Sequence, residues 1–118
     1  MTAVFYNALI NQGADWYINF IYNQPDGTPV NLTGASAALQ VRSFPEDTVS
    51  VLTLTSAEDG GITITPLTGT LEVHATAEQT TLMGAGFYYY DIEITQVGDI
   101  VTRLAQGQVE VNAQVTRT

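Results

Sequence analysis

The chain of 118 residues falls short of one average domain of roughly 150 residues, and a core of this size can bury on the order of two-thirds of its unfolded surface. Apolar residues make up 45% and charged residues only 13%, against a usual charged share of about 25%, which excludes a chain too polar to collapse. Twelve acids against three arginines and no lysine give a net charge of −9, which disfavours phosphate backbones and anionic lipid as partners, and the lack of cysteine excludes disulfides, thiol catalysis and thiolate zinc sites.

No apolar run approaches the roughly 20 residues of a spanning helix. Met1 to Tyr6 has no basic region leading into an apolar stretch, so the chain reads as a product made in the cytosol. Residues 1–118 are expected to form one domain, with 1–12 as an N-terminal strand or arm, because Ala3 to Ile10 is apolar enough to pair with its own sheet or a neighbour's edge. From Asp15 to Tyr22 the pattern alternates, placing Trp16, Ile18, Phe20 and Tyr22 on a core face and Tyr17, Asn19 and Ile21 opposite. Gln24 to Pro29 holds Pro25 and Asp26-Gly27 at turn positions. Ala35 to Phe44 alternates again, with Ala37, Leu39 and Val41 inward and Gln40 and Arg42 outward, until Pro45 removes a ladder donor. Thr48 to Thr55, the turn residues Ala57 to Gly61, and Ile62 to Thr65 together predict a hairpin closed by Pro66. Gly69 to Ala75 is a short strand, and Thr76 to Leu82 is a single helical turn with Thr76 and Gln79 at the two positions of a capping box. Phe87 to Thr95 is the clearest strand, with Tyr88, Tyr90, Ile92 and Ile94 on one side and Phe87, Tyr89, Asp91 and Glu93 on the other. After a turn at Val97 to Asp99, Ile100 to Leu104 and Gln108 to Val115 read as two halves of one strand with a bulge or bend at Gly107.

Seven to nine short strands with regular turns and at most one helical turn predict an all-β fold, an antiparallel immunoglobulin-like sandwich. The preference for a sandwich over a barrel rests on Leu82 to Tyr90, where a short turn and a small residue precede a tyrosine that opens a strand. Tyr88 is the candidate for a structural tyrosine corner, its hydroxyl bonding a backbone group upstream.

Chemistry is scarce. The sole histidine, His74, lies on a strand with Glu72 and Thr76, and no Gly-x-Ser-x-Gly elbow is present, so no catalytic residue is assigned. One histidine and no cysteine argue against a transition-metal site, and no metal or cofactor is expected. Asp26, Glu46, Asp47, Glu58, Asp59 and Asp99 sit in turns, where aspartate is common for backbone reasons. Asp91 and Glu93 stand side by side near Tyr89. With Phe5 and Tyr6 of the apolar N-terminal segment, these three form a candidate interface. The outward positions are filled by Thr, Gln, Asn and Ser, which hydrogen-bond without the desolvation cost of an ion and so suit a protein contact or a carbohydrate.

Asn11-Gln12-Gly13-Ala14-Asp15, Asp26 to Gly34, Val41-Arg42, Gly86 to Glu93 and Thr102 to Val111 resemble small tail-associated proteins of tailed bacteriophages, in particular the immunoglobulin-like N-terminal domain of baseplate upper proteins. The resemblance spans nearly the whole chain and implies a non-enzymatic virion component of baseplate, neck, fibre adaptor or capsid decoration. Its partners would be other virion proteins and further copies of itself in a symmetric assembly. The alternative is a carbohydrate-binding module for host-surface glycans, with Tyr17 and Tyr89 stacking on sugar rings. A third reading, an enzyme using His74, is the weakest in residues.

Overall fold

A computed structural model describes residues 4–116. Among these residues nine strands are joined by turns and two longer loops: β1 (Val4–Phe5), β2 (Ala8–Asn11), β3 (Trp16–Ile21), β4 (Ser36–Arg42), β5 (Leu52–Thr55), β6 (Ile62–Thr65), β7 (Thr70–Ala75), β8 (Gly86–Gln96) and β9 (Ile100–Asn112). A five-residue helix, α1 (Ala77–Thr81), and a 3-10 turn at Pro66–Thr68 are the helical elements among the described residues. The larger sheet runs β1-β9-β8-β4-β5, with β2 also on β9, and the smaller runs β3-β7-β6. The fold is an all-β immunoglobulin-like sandwich, antiparallel throughout except where β1 and β2 lie parallel to β9.

The alternation of the sequence explains the layers, since side chains two apart on a strand share a face. Leu39 and Val41 of β4, Leu54 of β5, Ile92 and Ile94 of β8, and Val109 and Val111 of β9 enter the core from the larger sheet. Leu71 and Val73 of β7, Ile62 of β6 and Trp16 of β3 meet them from the smaller one. Ile18 and Phe20 continue the inward side of β3, with Tyr22 just past its end, but all three are only partly buried.

Helix α1 closes one end. Thr76 and Gln79 form the full capping box, and the Asp15 carboxylate accepts a hydrogen bond from the Ala77 N–H at 2.7 Å, which satisfies another free amide of the first turn. Thr80, the one fully buried polar side chain in the described core, donates to Ala14 O at 2.9 Å and accepts from Gly13 N–H at 3.0 Å.

Two expectations need correction. Thr48 to Thr65 is not a hairpin: of Thr48 to Thr55 only Leu52–Thr55 is a strand, and it joins the larger sheet while β6 joins the smaller. The turn at Glu58 to Gly61 carries the chain across the core, leaving a single parallel bridge between Thr55 and Gly61. The irregularity in the last strand is not at Gly107, which pairs regularly with Tyr90. It lies at Leu104: Ile92 pairs with Ala105 and Glu93 with Arg103, so Leu104 is the extra residue and both Leu104 and Ala105 point inward.

Gly107 is required for a different reason. A Cβ there would run into the backbone carbonyl of Tyr6, where the chain crosses between β1 and β2. The same carbonyl accepts the Tyr90 hydroxyl at 2.7 Å, fastening the N-terminal segment to the middle of the sheet. Burial, with a smaller effect from the Tyr6 phenol, pushes the Tyr90 hydroxyl up to about 12. Tyr90 is protonated in both folded and unfolded chains below pH 10, so its contribution is complete there. Between pH 10 and 12 the unfolded chain loses the proton first, and roughly 2–3 kcal/mol of stability is lost across that window. Tyr90→Phe should cost about 1 kcal/mol at neutral pH and flatten this alkaline fall, as read from urea unfolding at stepped pH. Gly107→Ala should destabilise by about 1–3 kcal/mol in the same assay, because backbone must shift to admit the methyl group.

Candidate functional site

The side chains that do not enter the core build the outer face of the larger sheet. Register places Phe5, Gln106, Asp91, Gln40 and Thr53 in one row across β1, β9, β8, β4 and β5. The adjacent row is Gln108, Tyr89 and Arg42, and on the other side Arg103 lies opposite Glu93. Between them is a shallow concavity of about 500 Å³ lined by Phe5, Gln40, Arg42, Tyr89, Asp91 and Arg103, among others. Phe5 is 75% exposed at its rim.

Both arginines of the described residues belong to this face. The Arg42 guanidinium donates to Gln40 Oε1 at 2.5 Å and to Asp47 O at 3.0 Å, two bonds that restrain it. Arg103 donates to Gln106 Oε1 at 2.9 Å and lies 3.4 Å from Asp91 Oδ2. An exposed pair of this kind contributes about 0–1 kcal/mol and leaves both groups able to exchange partners. The face therefore offers one central aromatic ring, two guanidinium groups, one paired carboxylate and three glutamine amides, arranged on rigid strands.

Of the residues singled out in the sequence, the structure brings Phe5, Tyr89, Asp91 and Glu93 together here. Tyr6 is elsewhere: its ring lines a groove on the open side of the sandwich with Val4, Tyr17 and Leu104. Arg42, Gln40, Gln106 and Arg103 were not singled out. Gln40 and Arg42 were readable as outward positions of β4, whereas Arg103 and Gln106 fall on one face only because of the bulge at Leu104. The Tyr88 hydroxyl donates to Gly84 O at 2.5 Å, four residues upstream.

His74 lies on the opposite face of the molecule. Its ring stacks on Tyr17 at 4.4 Å between centroids and 5° between planes, and its Nε2 is 3.6 Å from Asp15 Oδ1. No serine or threonine hydroxyl among the described residues bonds it, and Nε2 has no hydrogen-bond partner, so the pieces of a hydrolytic triad are not assembled around it. The described residues contain no group of three or more His, Asp or Glu side chains able to hold a metal ion.

No protein-family model matches the chain, and no curated protein does. Among solved structures it is similar to CopC from Methylosinus trichosporium OB3b, at a TM-score of 0.50 and 10% identity over 94% of this chain and 90% of that one. It is also similar to the soluble domain of PmoD from Methylocystis sp. ATCC 49242 (Rockwell), at 0.49 and 15% over 91% and 79%, and to extracellular domains 3–5 of Drosophila OTK, at 0.42 and 19% over 93% and 33%. At such identities the likeness to CopC concerns the fold.

These findings overturn the bacteriophage resemblance. None of these structures is a phage component, and the virion role, the virion partners with their symmetric assembly and the virion location fall together. The words that carried the resemblance, such as Gly86 to Glu93 and Gly107 to Val111, are what two paired strands of a sandwich require, and they specify β8 and β9 rather than a role. The host-glycan alternative, part of the same reading, falls with it; its two rings, Tyr17 and Tyr89, lie on outer faces of different sheets.

The Tyr88–Gly84 hydrogen bond has a direct measurement: Tyr88→Phe should lower unfolding stability by about 1 kcal/mol while leaving the circular dichroism of the sandwich unchanged.

Proposed function

We propose that the chain is a non-enzymatic binding domain that recognises another protein through the outer face of its larger sheet, with Tyr89 as the central contact. The observation that carries this reading is the gathering of Phe5, Tyr89 and both described arginines on one concave face of a chain that has only three cations and no lysine. Protein interfaces are enriched in aromatic residues and arginine at their centres and depleted in lysine and glutamate. Arginine suits such a face because its planar fork bonds carboxylates and backbone carbonyls and stacks on rings, whereas an ammonium would hold its water. Asp91 and the glutamines Gln40, Gln106 and Gln108 add acceptors and donors that favour a mixed polar partner over a strongly acidic one, which the net charge of −9 would repel. Glu93, beside Arg103, belongs to the rim.

The test is a selection of ribosome-displayed small folded domains against the immobilised chain. Most independent binders are expected to weaken tenfold or more, about 1.4 kcal/mol, on Tyr89→Ala or Arg42→Ala. Thr63→Ala, on the outer side of β6, should leave them unchanged. Binders indifferent to Tyr89 and Arg42 would defeat the proposal.

A further inference from the structure

The smaller sheet ends on β3, and β3 is the longest open edge among the described strands. Its six residues, Trp16-Tyr17-Ile18-Asn19-Phe20-Ile21, contain no charge and no proline, and its pairing with β7 is regular with no bulge. Soluble proteins ordinarily guard such an edge with a lysine, a proline, a bulge or a covering segment. The other edge strands are guarded by brevity: β2, β5 and β6 have four residues each, and β1 has two.

The backbone directions follow from the ladder. The Tyr22 N–H bonds Gly69 O toward β7, and the His74 N–H bonds Gly61 O away from β3. Hydrogen-bonded and non-bonded pairs alternate along an antiparallel ladder, so Trp16, Ile18 and Phe20 are bonded to β7. Tyr17, Asn19 and Ile21 therefore direct three N–H and three C=O groups out of the sheet, where no described strand meets them.

Beside these groups runs an apolar groove of about 430 Å³ between β3 and the rim of the larger sheet, lined by Val4, Tyr6, Ile18, Phe20 and Leu104 among others. Val4 is 62% and Tyr6 50% exposed along it, while Tyr17 and Ile21 stand 68% and 63% exposed on the outer side of the same edge. Alternate side chains of an added strand would thus meet apolar surface on both sides. The carboxylates nearby are Asp15, which precedes β3 and also accepts the Ala77 N–H beside His74, and Glu72, which lies opposite Asn19 on β7. Both described arginines are on the other sheet.

From these observations we propose that the β3 edge is a second binding site, which accepts an extended segment of a partner protein as an added strand, and that the segment alternates apolar residues with lysine or arginine. Main-chain hydrogen bonds to Tyr17, Asn19 and Ile21 supply the pairing, and Asp15 and Glu72 select the basic side chains. This site is independent of the Tyr89 face, and either could fail alone.

The test uses the unaltered chain and three end-capped nine-residue peptides: one alternating valine with lysine, one alternating valine with glutamate, and the lysine peptide N-methylated at every second residue. Amide exchange is followed by NMR. The lysine peptide should slow exchange at Tyr17, Asn19 and Ile21 tenfold or more, and the other two should not, because one is repelled and the other lacks the donors of one edge. The proposal is overturned if the lysine peptide leaves these amides unchanged or if either control protects them equally. It is also overturned if they are already protected without peptide, which would mean that a second copy or the chain's own ends fill the edge.

Discussion

The pairing of β8 with β9 is the constraint on which the rest of the structure depends. It is the longest register in the molecule, running from Gly86 opposite Val111 to Gln96 opposite Ile100, and both the N-terminal strands and β4 are hung on its two sides. Because alternation transmits orientation along a strand, the face chosen by Ile92 and Ile94 is also the face chosen by Val109 and Val111. The bulge at Leu104 makes this possible. Without the extra residue, either Arg103 or Gln106 would be turned into the core, and an unpaired guanidinium there would cost several kcal/mol. With it, a strand whose two halves are out of phase turns Leu104, Ala105, Val109 and Val111 inward and Arg103, Gln106, Gln108 and Glu110 outward.

Much of this was legible in the residues. The core face of β8 could be read from Tyr88 to Ile94, and the capping box of α1 from Thr76 and Gln79, because both depend on neighbours within a few positions. Which sheet a strand joins is a different kind of fact. Leu52–Thr55 and Ile62–Thr65 look like the arms of a hairpin at the level of turn residues, and nothing local to Glu58-Asp59-Gly60-Gly61 distinguishes a turn within a sheet from a crossing between two. The distinction is decided by where Val41 and Leu71 already are. Gly107 illustrates the same limit: its lack of a side chain was visible, but the reason, the backbone of Tyr6 passing over it, belongs to a segment about 100 positions away.

The outer face of the larger sheet was half legible for the same cause. Tyr89, Asp91 and Glu93 are neighbours on one strand, and their common orientation follows from a spacing of two. Arg42 and Arg103 join them through register between strands, which no periodicity within either strand specifies. The resemblance to phage tail proteins failed at this level too. It was carried by strand and turn formulas, and such formulas recur wherever two antiparallel strands must close over an aromatic core.

Charge divides the molecule. Its turns carry acids, so a strand edge without charge is exposed where collisions between copies are already opposed by a net charge of −9 on each. That long-range repulsion replaces the local lysine or proline by which other proteins guard an edge, and it acts differently on different visitors. A like-charged copy is repelled over about 10 Å at ordinary ionic strength, whereas a basic extended segment is drawn in over the same distance. An unguarded edge in a strongly acidic protein thus discriminates by sign before any hydrogen bond forms, and β3 combines that field with the backbone groups needed to hold what arrives.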